Sequence, residues 1–301
     1  MKILITGANG LLGQKLVKLL LPKKEVKLIA TARGESRLSS YGEVAYESLD
    51  ITNREEVLNV VEKHQPDAII NTAAMTNVDQ CETEKEGCDA LNIDAVRYLN
   101  EAAEKVGAFF LHLSTDFIFS GEEGPYDEDG VPAPVNYYGE SKRLGEEVVF
   151  KSKTKWAIAR TVLVYGIVPD MSRSNIILWV KGSLESGKTI QVVDDQWRTP
   201  TLAEDLAMGC YLIIKHQAQG IYNISGGDML TPYNMAMKTA RFFNLDESLI
   251  NKTDSTKFKQ AAKRPPKTGF IIDKAKRDLG YKPHTFDEGI KLVAEQVSSV
   301  V

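Results

Sequence analysis

The tightest constraint on this chain lies at its start. Lys2-Ile3-Leu4-Ile5-Thr6 is a β-branched and leucine run, Gly7-Ala8-Asn9-Gly10-Leu11-Leu12-Gly13 follows at once, and apolar residues then recur at helical spacing from Leu11 to Leu21, where Pro22 stops them. This is strand, turn and helix. Glycines at 7, 10 and 13 let the chain turn tightly, let the backbone approach a pyrophosphate, and let the helix N-terminus aim its free N–H groups at the anion. Three glycines in seven residues also occur in plain loops. Their place directly after an opening strand favours a dinucleotide site.

The rest of the first half alternates in the same way. Val26 to Thr31, Val44 to Leu49, Ala68 to Asn71, Phe109 to Leu113 and Trp156 to Val164 have the composition of strands, with helices expected at Asn53 to His64 and Cys88 to Val106. Such alternation implies βαβ units, so the expected fold class is α/β, a doubly wound parallel Rossmann sheet with a smaller C-terminal substrate-binding lobe. The expected division is 1–165 for the dinucleotide-binding part, with 201–225 returning to it, and 166–301 for the lobe. After an irregular stretch from Ile167 to Asn175, helical patterns follow at Ile176 to Ser186, Glu204 to His216, Tyr233 to Phe243, Ser255 to Ala262 and Phe286 to Val297. Strands are expected at Thr189 to Val193 and Gly220 to Ser225.

Ligands of parallel sheets sit beyond the carboxyl ends of the strands. The segments expected there are Gly7 to Gly13, Arg33, Asp50-Ile51, Asn71-Thr72-Ala73-Ala74 and Ser114-Thr115-Asp116. A helix carrying Tyr138 and Lys142 comes after the last of them. Residues four apart share a helix face, and an ammonium beside a phenol favours tyrosinate, which lowers the phenol pKa and makes it a usable proton donor. The same spacing describes an ordinary surface helix with a snorkelling lysine, and it recurs at Tyr211 and Lys215. Context separates the two pairs: Tyr211 shares its helix with Leu206, Met208, Leu212 and Ile213 and has no strand-end neighbours, so a place at the core edge suits it better.

Composition removes several alternatives. Lys+Arg 37 against Asp+Glu 41, with no basic run, gives no footprint for a nucleic acid, and no stretch is apolar for long enough to suggest a membrane partner. Met1 to Ile5 opens directly as a strand and not as a signal peptide, so a cytoplasmic location is expected. Cys81, Cys88 and Cys210 form no C-x-x-C and the four histidines are scattered, so no metal site is expected.

In order and spacing, the glycine turn, Asp50-Ile51, Asn71 to Ala74, Ser114 to Asp116 and Tyr138-x-x-x-Lys142 resemble an extended short-chain dehydrogenase/reductase. More narrowly, Ala73 to Glu82, Ser114 to Gly121 and Asp195-Gln196-x-x-x-Pro200-Thr201 resemble the dTDP-4-dehydrorhamnose reductases. The resemblance implies an NADPH-dependent reductase of a nucleotide-sugar C4 ketone, with NADH left open, and it leaves a homodimer open as well. Tyr138 would protonate the forming alkoxide, Lys142 would hold the nicotinamide ribose and tune Tyr138, and Thr115 would polarise the carbonyl. The implied cofactor contacts are Gly7, Asn9, Gly10, Leu11, Leu12, Gly13, Arg33, Asp50, Ile51, Thr72, Ala73, Ala74, Asn92 and Ser114, together with Tyr138 and Lys142. The implied substrate contacts are Thr76, Asp116, Phe117, Asn175 and Arg198. Phe117 and Met75 stand where the reductases usually carry a tyrosine and an aromatic residue or histidine, and Arg198 where a small residue is common. The second expected strand ends without a carboxylate before Glu35, so Arg33, assisted by Arg37, is expected to pair with a cofactor 2′-phosphate. Sugar-nucleotide epimerases and dehydratases share this pattern, and so does the regulatory β-subunit of methionine adenosyltransferase, which works through a partner.

Overall fold

The computed structural model describes residues 1–169 and 175–300. Its strands are β1 (Lys2–Thr6), β2 (Lys27–Ala32), β3 (Tyr46–Ser48), β4 (Ala68–Asn71), β5 (Phe109–Thr115), β6 (Trp156–Thr161), β7 (Val164–Tyr165), β8 (Ile190–Val193), β9 (Thr201–Leu202), β10 (Gly220–Asn223) and β11 (Ile250–Thr253). Its helices are α1 (Leu11–Leu20), α2 (Arg54–His64), α3 (Val78–Thr83), α4 (Lys85–Asp89), α5 (Ala95–Val106), α6 (Tyr137–Phe150), α7 (Ile176–Glu185), α8 (Ala203–His216), α9 (Pro232–Phe242), α10 (Asp273–Leu279) and α11 (Phe286–Val300). None of the described helices is long and apolar enough to cross a membrane.

Seven strands form one parallel sheet in the order β10-β6-β5-β4-β1-β2-β3. The expected α/β class and parallel sheet are thus present. Strand side chains alternate, and both sheet faces are covered. Ile3, Ile5 and Leu111 face α1 and α8, while Leu4, Ile69, Phe110 and Ile158 pack with Val57, Leu99 and Ala103 on the opposite side. The chain leaves β1 toward β2 on one side and returns to β4 on the other. That reversal opens a crevice at the carboxyl end of β1.

A second body of helices, α7, α9 and α11, packs around Ile177, Met235, Phe286 and Ile290, with β8 and β11 pairing along its edge. Asn175 starts α7 by accepting from the backbone N–H groups of Ile177 and Leu178, and Thr231 with Asn234 forms a capping box on α9.

Several expectations are corrected. The helix expected from Cys88 to Val106 is interrupted by a π-helical turn, Ala90–Asp94, which turns Asn92 inward. The strand expected to reach Val164 ends at Thr161, because Leu163 adopts a φ of 38° and turns the chain into the separate β7–β9 pair. Ser255 to Ala262 is only a short 3₁₀ turn, Ser255–Lys257, since the residues after it are stretched along the sheet end by contacts described below. Elements α3, α10, β7, β9 and β11 had no counterpart among the expected elements, and residues 170–174 of the irregular stretch lie outside the described residues.

Candidate active site

At the β1 crevice, Gly7 has a φ of +68°, and a Cβ there would come within 2.8 Å of Thr72 Oγ1 and 2.9 Å of the Ala73 nitrogen. The first loop therefore lies directly against the loop after β4. At Gly13 an added Cβ would meet the Gly7 carbonyl at 2.3 Å, so α1 begins pressed onto its own turn. No side chain caps that helix and no acidic residue occupies its first turn, which leaves its N-terminal dipole facing the crevice. Thr72 donates to the Thr6 carbonyl at 2.6 Å, Ala73 and Ala74 beside it are small and half-buried, and the buried hydroxyl of Ser114 has no protein partner. A glycine cradle, an uncapped helix N-terminus and an orphaned hydroxyl on one rim fit a dinucleotide diphosphate and its ribose.

The adenosine end is shaped by Asn9, whose side chain donates to the Glu35 carbonyl at 2.8 Å and accepts from the Arg37 N–H at 2.9 Å. Arg33 is exposed at the start of that loop, and Arg37 is exposed further along it. Asp50 accepts from the hydroxyl and N–H of Thr52, which holds its carboxyl below the usual range, with a smaller contribution from the Arg33 charge. Ile51 is buried next to it, and Leu11 and Leu12 half-bury the opening of α1.

Two glycines set the position of α6. A Cβ at Gly139 would lie 2.1 Å from the Phe117 carbonyl, and one at Gly145 would lie 2.5 Å from the Asn92 carbonyl, so α6 approaches the end of β5 and the π-turn backbone to backbone. Asn136 caps the helix by accepting from Gly139 N–H at 2.8 Å and donates to the Lys263 carbonyl at the same distance. Tyr138 is thereby buried beside Thr115, with its ring edge-on to Phe117 at 5.9 Å. Burial pushes its phenol well above the usual range, and the Thr115 hydroxyl pulls in the opposite direction.

The expected lowering of the Tyr138 pKa by Lys142 is absent. Lys142 reaches away to β5, donating to the Leu113 carbonyl at 2.6 Å and lying 3.2 Å from His112 Nε2. Burial brings its own pKa down to about 8, opposed by Glu146 and Cys88. His112 did not figure among the expected site residues. Its signal was a histidine inside an otherwise apolar buried strand.

The described residues thus present a nucleotide cradle and, next to it, a buried Thr-Tyr-Lys cluster. The whole chain, residues 1–299, matches the family profile described as the RmlD substrate binding domain. The chain belongs to that family. It is 32% identical over 282 residues to a dTDP-4-keto-6-deoxy-D-glucose reductase of Streptomyces niveus, covering 93% of this chain and 91% of the relative. It is also 33% identical over 252 residues to the methionine adenosyltransferase 2 subunit beta of Xenopus tropicalis, covering 82% and 73% respectively. Among solved structures it resembles the dTDP-4-dehydrorhamnose reductase of Bacillus anthracis in complex with NADP, with a TM-score of 0.85, 30% identity and coverage of 98% and 99%.

The remaining candidates fall into place around this RmlD-family cleft. Asn92 is fully buried and clamps the loop after β4, accepting from Met75 N–H at 2.9 Å and donating to the Met75 carbonyl and to Ser141, so it faces protein on every side. Asp116 is buried behind Thr115. It accepts from the Thr115 and Thr268 hydroxyls, and burial raises its carboxyl pKa against the pull of Arg198. Arg198 corrects the expected free fork of donors. Nη1 donates to the Trp197 and Pro266 carbonyls, Nη2 donates to Pro265 at 2.7 Å, and the guanidinium lies over Phe117 at 5.6 Å. Asn175 spends its side chain on the α7 cap and on the Gly166 carbonyl, while Thr76 is exposed beyond β4. Arg198 and Asn136 hold the segment 263–266 across the end of α6, and Arg264 adds a bidentate pair with Asp79 at 2.6 and 2.7 Å. This strap was not visible in the sequence, because its contacts join residues far apart in the chain.

Proposed function

We propose that this RmlD-family chain is an NADPH-dependent reductase that converts the 4-ketone of a nucleotide sugar, of the dTDP-4-dehydrorhamnose type, to the alcohol. The observation that carries the proposal is the buried Tyr138 phenol under the influence of the Thr115 hydroxyl, at the strand end next to the glycine cradle. NADPH bound in the cradle supplies the hydride. Tyr138, kept protonated by burial, holds the proton that the nascent alkoxide at C4 takes up. Thr115, whose hydroxyl donates to Asp116 in the free protein, would turn that proton to the carbonyl oxygen and polarise it. Lys142, anchored to β5 through the Leu113 carbonyl, would offer its remaining N–H to the nicotinamide ribose. Phe117 packs edge-on against the Tyr138 ring.

The proposed division assigns 1–165 and 201–225 to cofactor binding and the remainder to the substrate, although Phe270 to Tyr281 also pack into the core under the sheet. A cytoplasmic location is proposed on the three buried free cysteines, which suit a reducing compartment, and a homodimer on the resemblance alone. The test is a panel of nucleoside-diphosphate ketosugars with NADPH consumption followed spectrophotometrically. Tight NADPH binding without turnover of any ketosugar would reject the reductase. That outcome would favour the second reading, a partner-regulating subunit, which rests on the 33% identity to the methionine adenosyltransferase subunit.

A further inference from the structure

We propose that His112 is a positioning residue for Lys142, and that the ammonium form of Lys142 holds the imidazole hydrogen on Nδ1. Strand register places Thr6, Asn71 and His112 directly side by side across β1, β4 and β5. They continue, one step toward the ligand end, the apolar row of Leu4, Ile69 and Phe110. Thr6 Oγ1 lies 2.7 Å from Asn71 Oδ1, the Asn71 amide nitrogen lies 3.1 Å from His112 Nδ1, and His112 Nε2 lies 3.2 Å from Lys142 Nζ. All four side chains are buried. An unbroken polar string therefore joins the residue before Gly7 to the lysine beside the catalytic tyrosine, through the interior of the sheet.

The string has two hydrogen-bonded states. Burial and the neighbouring lysine charge keep His112 neutral, so it has one N–H and one lone pair. When Lys142 is an ammonium it donates to Nε2, Nδ1–H donates to Asn71 Oδ1, and the Asn71 amide N–H donates to Thr6 Oγ1. When Lys142 is an amine it still has two N–H groups and can donate to Nε2 as before, but its lone pair also allows the reverse order, the one the structure shows among Thr6, Asn71 and His112: Thr6 donates to Oδ1, the amide N–H donates to Nδ1, and Nε2–H donates to the amine. Between the two states one proton leaves Lys142 for solvent, the imidazole hydrogen changes nitrogen, and the Asn71 amide turns over. Histidine keeps one hydrogen throughout.

The other groups facing Lys142 do not replace this acceptor. Glu146, one turn along α6, is committed to Arg160 by a bidentate pair at 2.9 and 2.7 Å, and Cys88 on α4 presents a buried thiol. Tyr138 is one turn earlier on the same helix, and the Leu113 carbonyl takes one of the three lysine N–H groups. A polar row that merely satisfies itself inside the sheet would leave the lysine titration alone.

The inference rests on the proposed role of Lys142 but is tested without turnover, so the two can fail separately. In the wild-type protein free of cofactor, ¹⁵N-histidine spectra should show His112 as the Nδ1–H tautomer near neutral pH. They should show Nε2–H appearing only as Lys142 titrates, followed by ¹³Cε-lysine resonances and assigned with Lys142→Arg. An Nε2–H tautomer that persists through that titration overturns the proposal. Variants supply the second arm. His112→Asn places its amide where Nδ1 was and cannot reach Lys142, whereas His112→Gln places an acceptor where Nε2 was. His112→Asn should lower the Lys142 pKa by roughly one unit, a tenfold loss of ammonium at a given alkaline pH, and move the alkaline limb of kcat/KM with it. His112→Gln should restore both. Equal effects of the two variants, or a lysine titration untouched by His112→Asn, would reduce His112 to a packing residue.

Discussion

Two tyrosines carry the same i, i+4 lysine, and their surroundings separate them. Tyr138 is buried beside Thr115 at the strand ends, whereas Tyr211 lies at the far edge of α8 with its hydroxyl 3.3 Å from Glu25 and the Lys23 ammonium over its ring. Tyr138→Phe should lower kcat by roughly a hundredfold or more with little change in NADPH affinity, because a proton donor is removed and the ring packing on Phe117 is kept. Tyr211→Phe should leave kcat near wild type. Steady-state kinetics of the pair decide which tyrosine reacts. At the other end of the cleft Arg33 is exposed where the cofactor ribose phosphate is expected, with no carboxylate before Glu35. NADPH should exceed NADH by about tenfold or more in kcat/KM, the factor that about 1.4 kcal/mol produces. Arg33→Ala should erode that preference through KM for NADPH alone. Equal specificity constants in the wild-type protein would refute it.

Elements here are positioned by where side chains are missing as much as by where they are present. Helix α6 sits close because Gly139 and Gly145 have no Cβ, and its neighbour carries a π-turn that turns Asn92 toward Met75. Gly145→Ala should cost about 1–3 kcal/mol in denaturant unfolding, since the obstructing atom is a backbone carbonyl that cannot swing aside. It should also lower kcat more than it raises KM, because Tyr138 moves with the helix. The strap over that helix depends on Asp79, whose pairing with Arg264 holds its carboxyl down to about 2. A depressed carboxylate stabilises the fold above its unfolded pKa and loses that contribution as pH falls from about 4 through about 2. Asp79 is 41% exposed, so the contribution is about 0.5–1 kcal/mol. Asp79→Asn should flatten the stability profile in that acid window, as chemical denaturation at successive pH values will show.

Across the whole molecule, β6 is tied to α6 by Arg160 and Glu146, both buried, with Arg160 also donating to the Glu128 carbonyl. Glu146→Gln should cost about 3–5 kcal/mol, because it strands a guanidinium in the interior, whereas a double replacement with Leu and Met should be much milder. Double-mutant-cycle unfolding measures the difference. The parallel sheet was legible in the sequence because alternation of apolar runs and helices is a local signal, and so were the glycine turn and the strand-end segments. The strand-end rule then brings those segments to one rim without any knowledge of packing. Short elements were not legible: β7, β9 and β11 are too brief for a period to register, and α10 closes onto a core built from the other end of the chain. Side-chain commitments were hidden for a related reason. Arg198 looks like a free fork until Pro265, Pro266 and Asp116 are beside it, Asn175 looks like a ligand until it caps α7, and His112 looks like core until Lys142 lies 3.2 Å away. Composition and period are properties of neighbours in sequence, so the chain alone determined the layered α/β plan and the rim where chemistry gathers. Which polar groups remain free on that rim was decided only by contacts between distant residues, because each buried donor or acceptor takes whatever partner the packed structure brings to it.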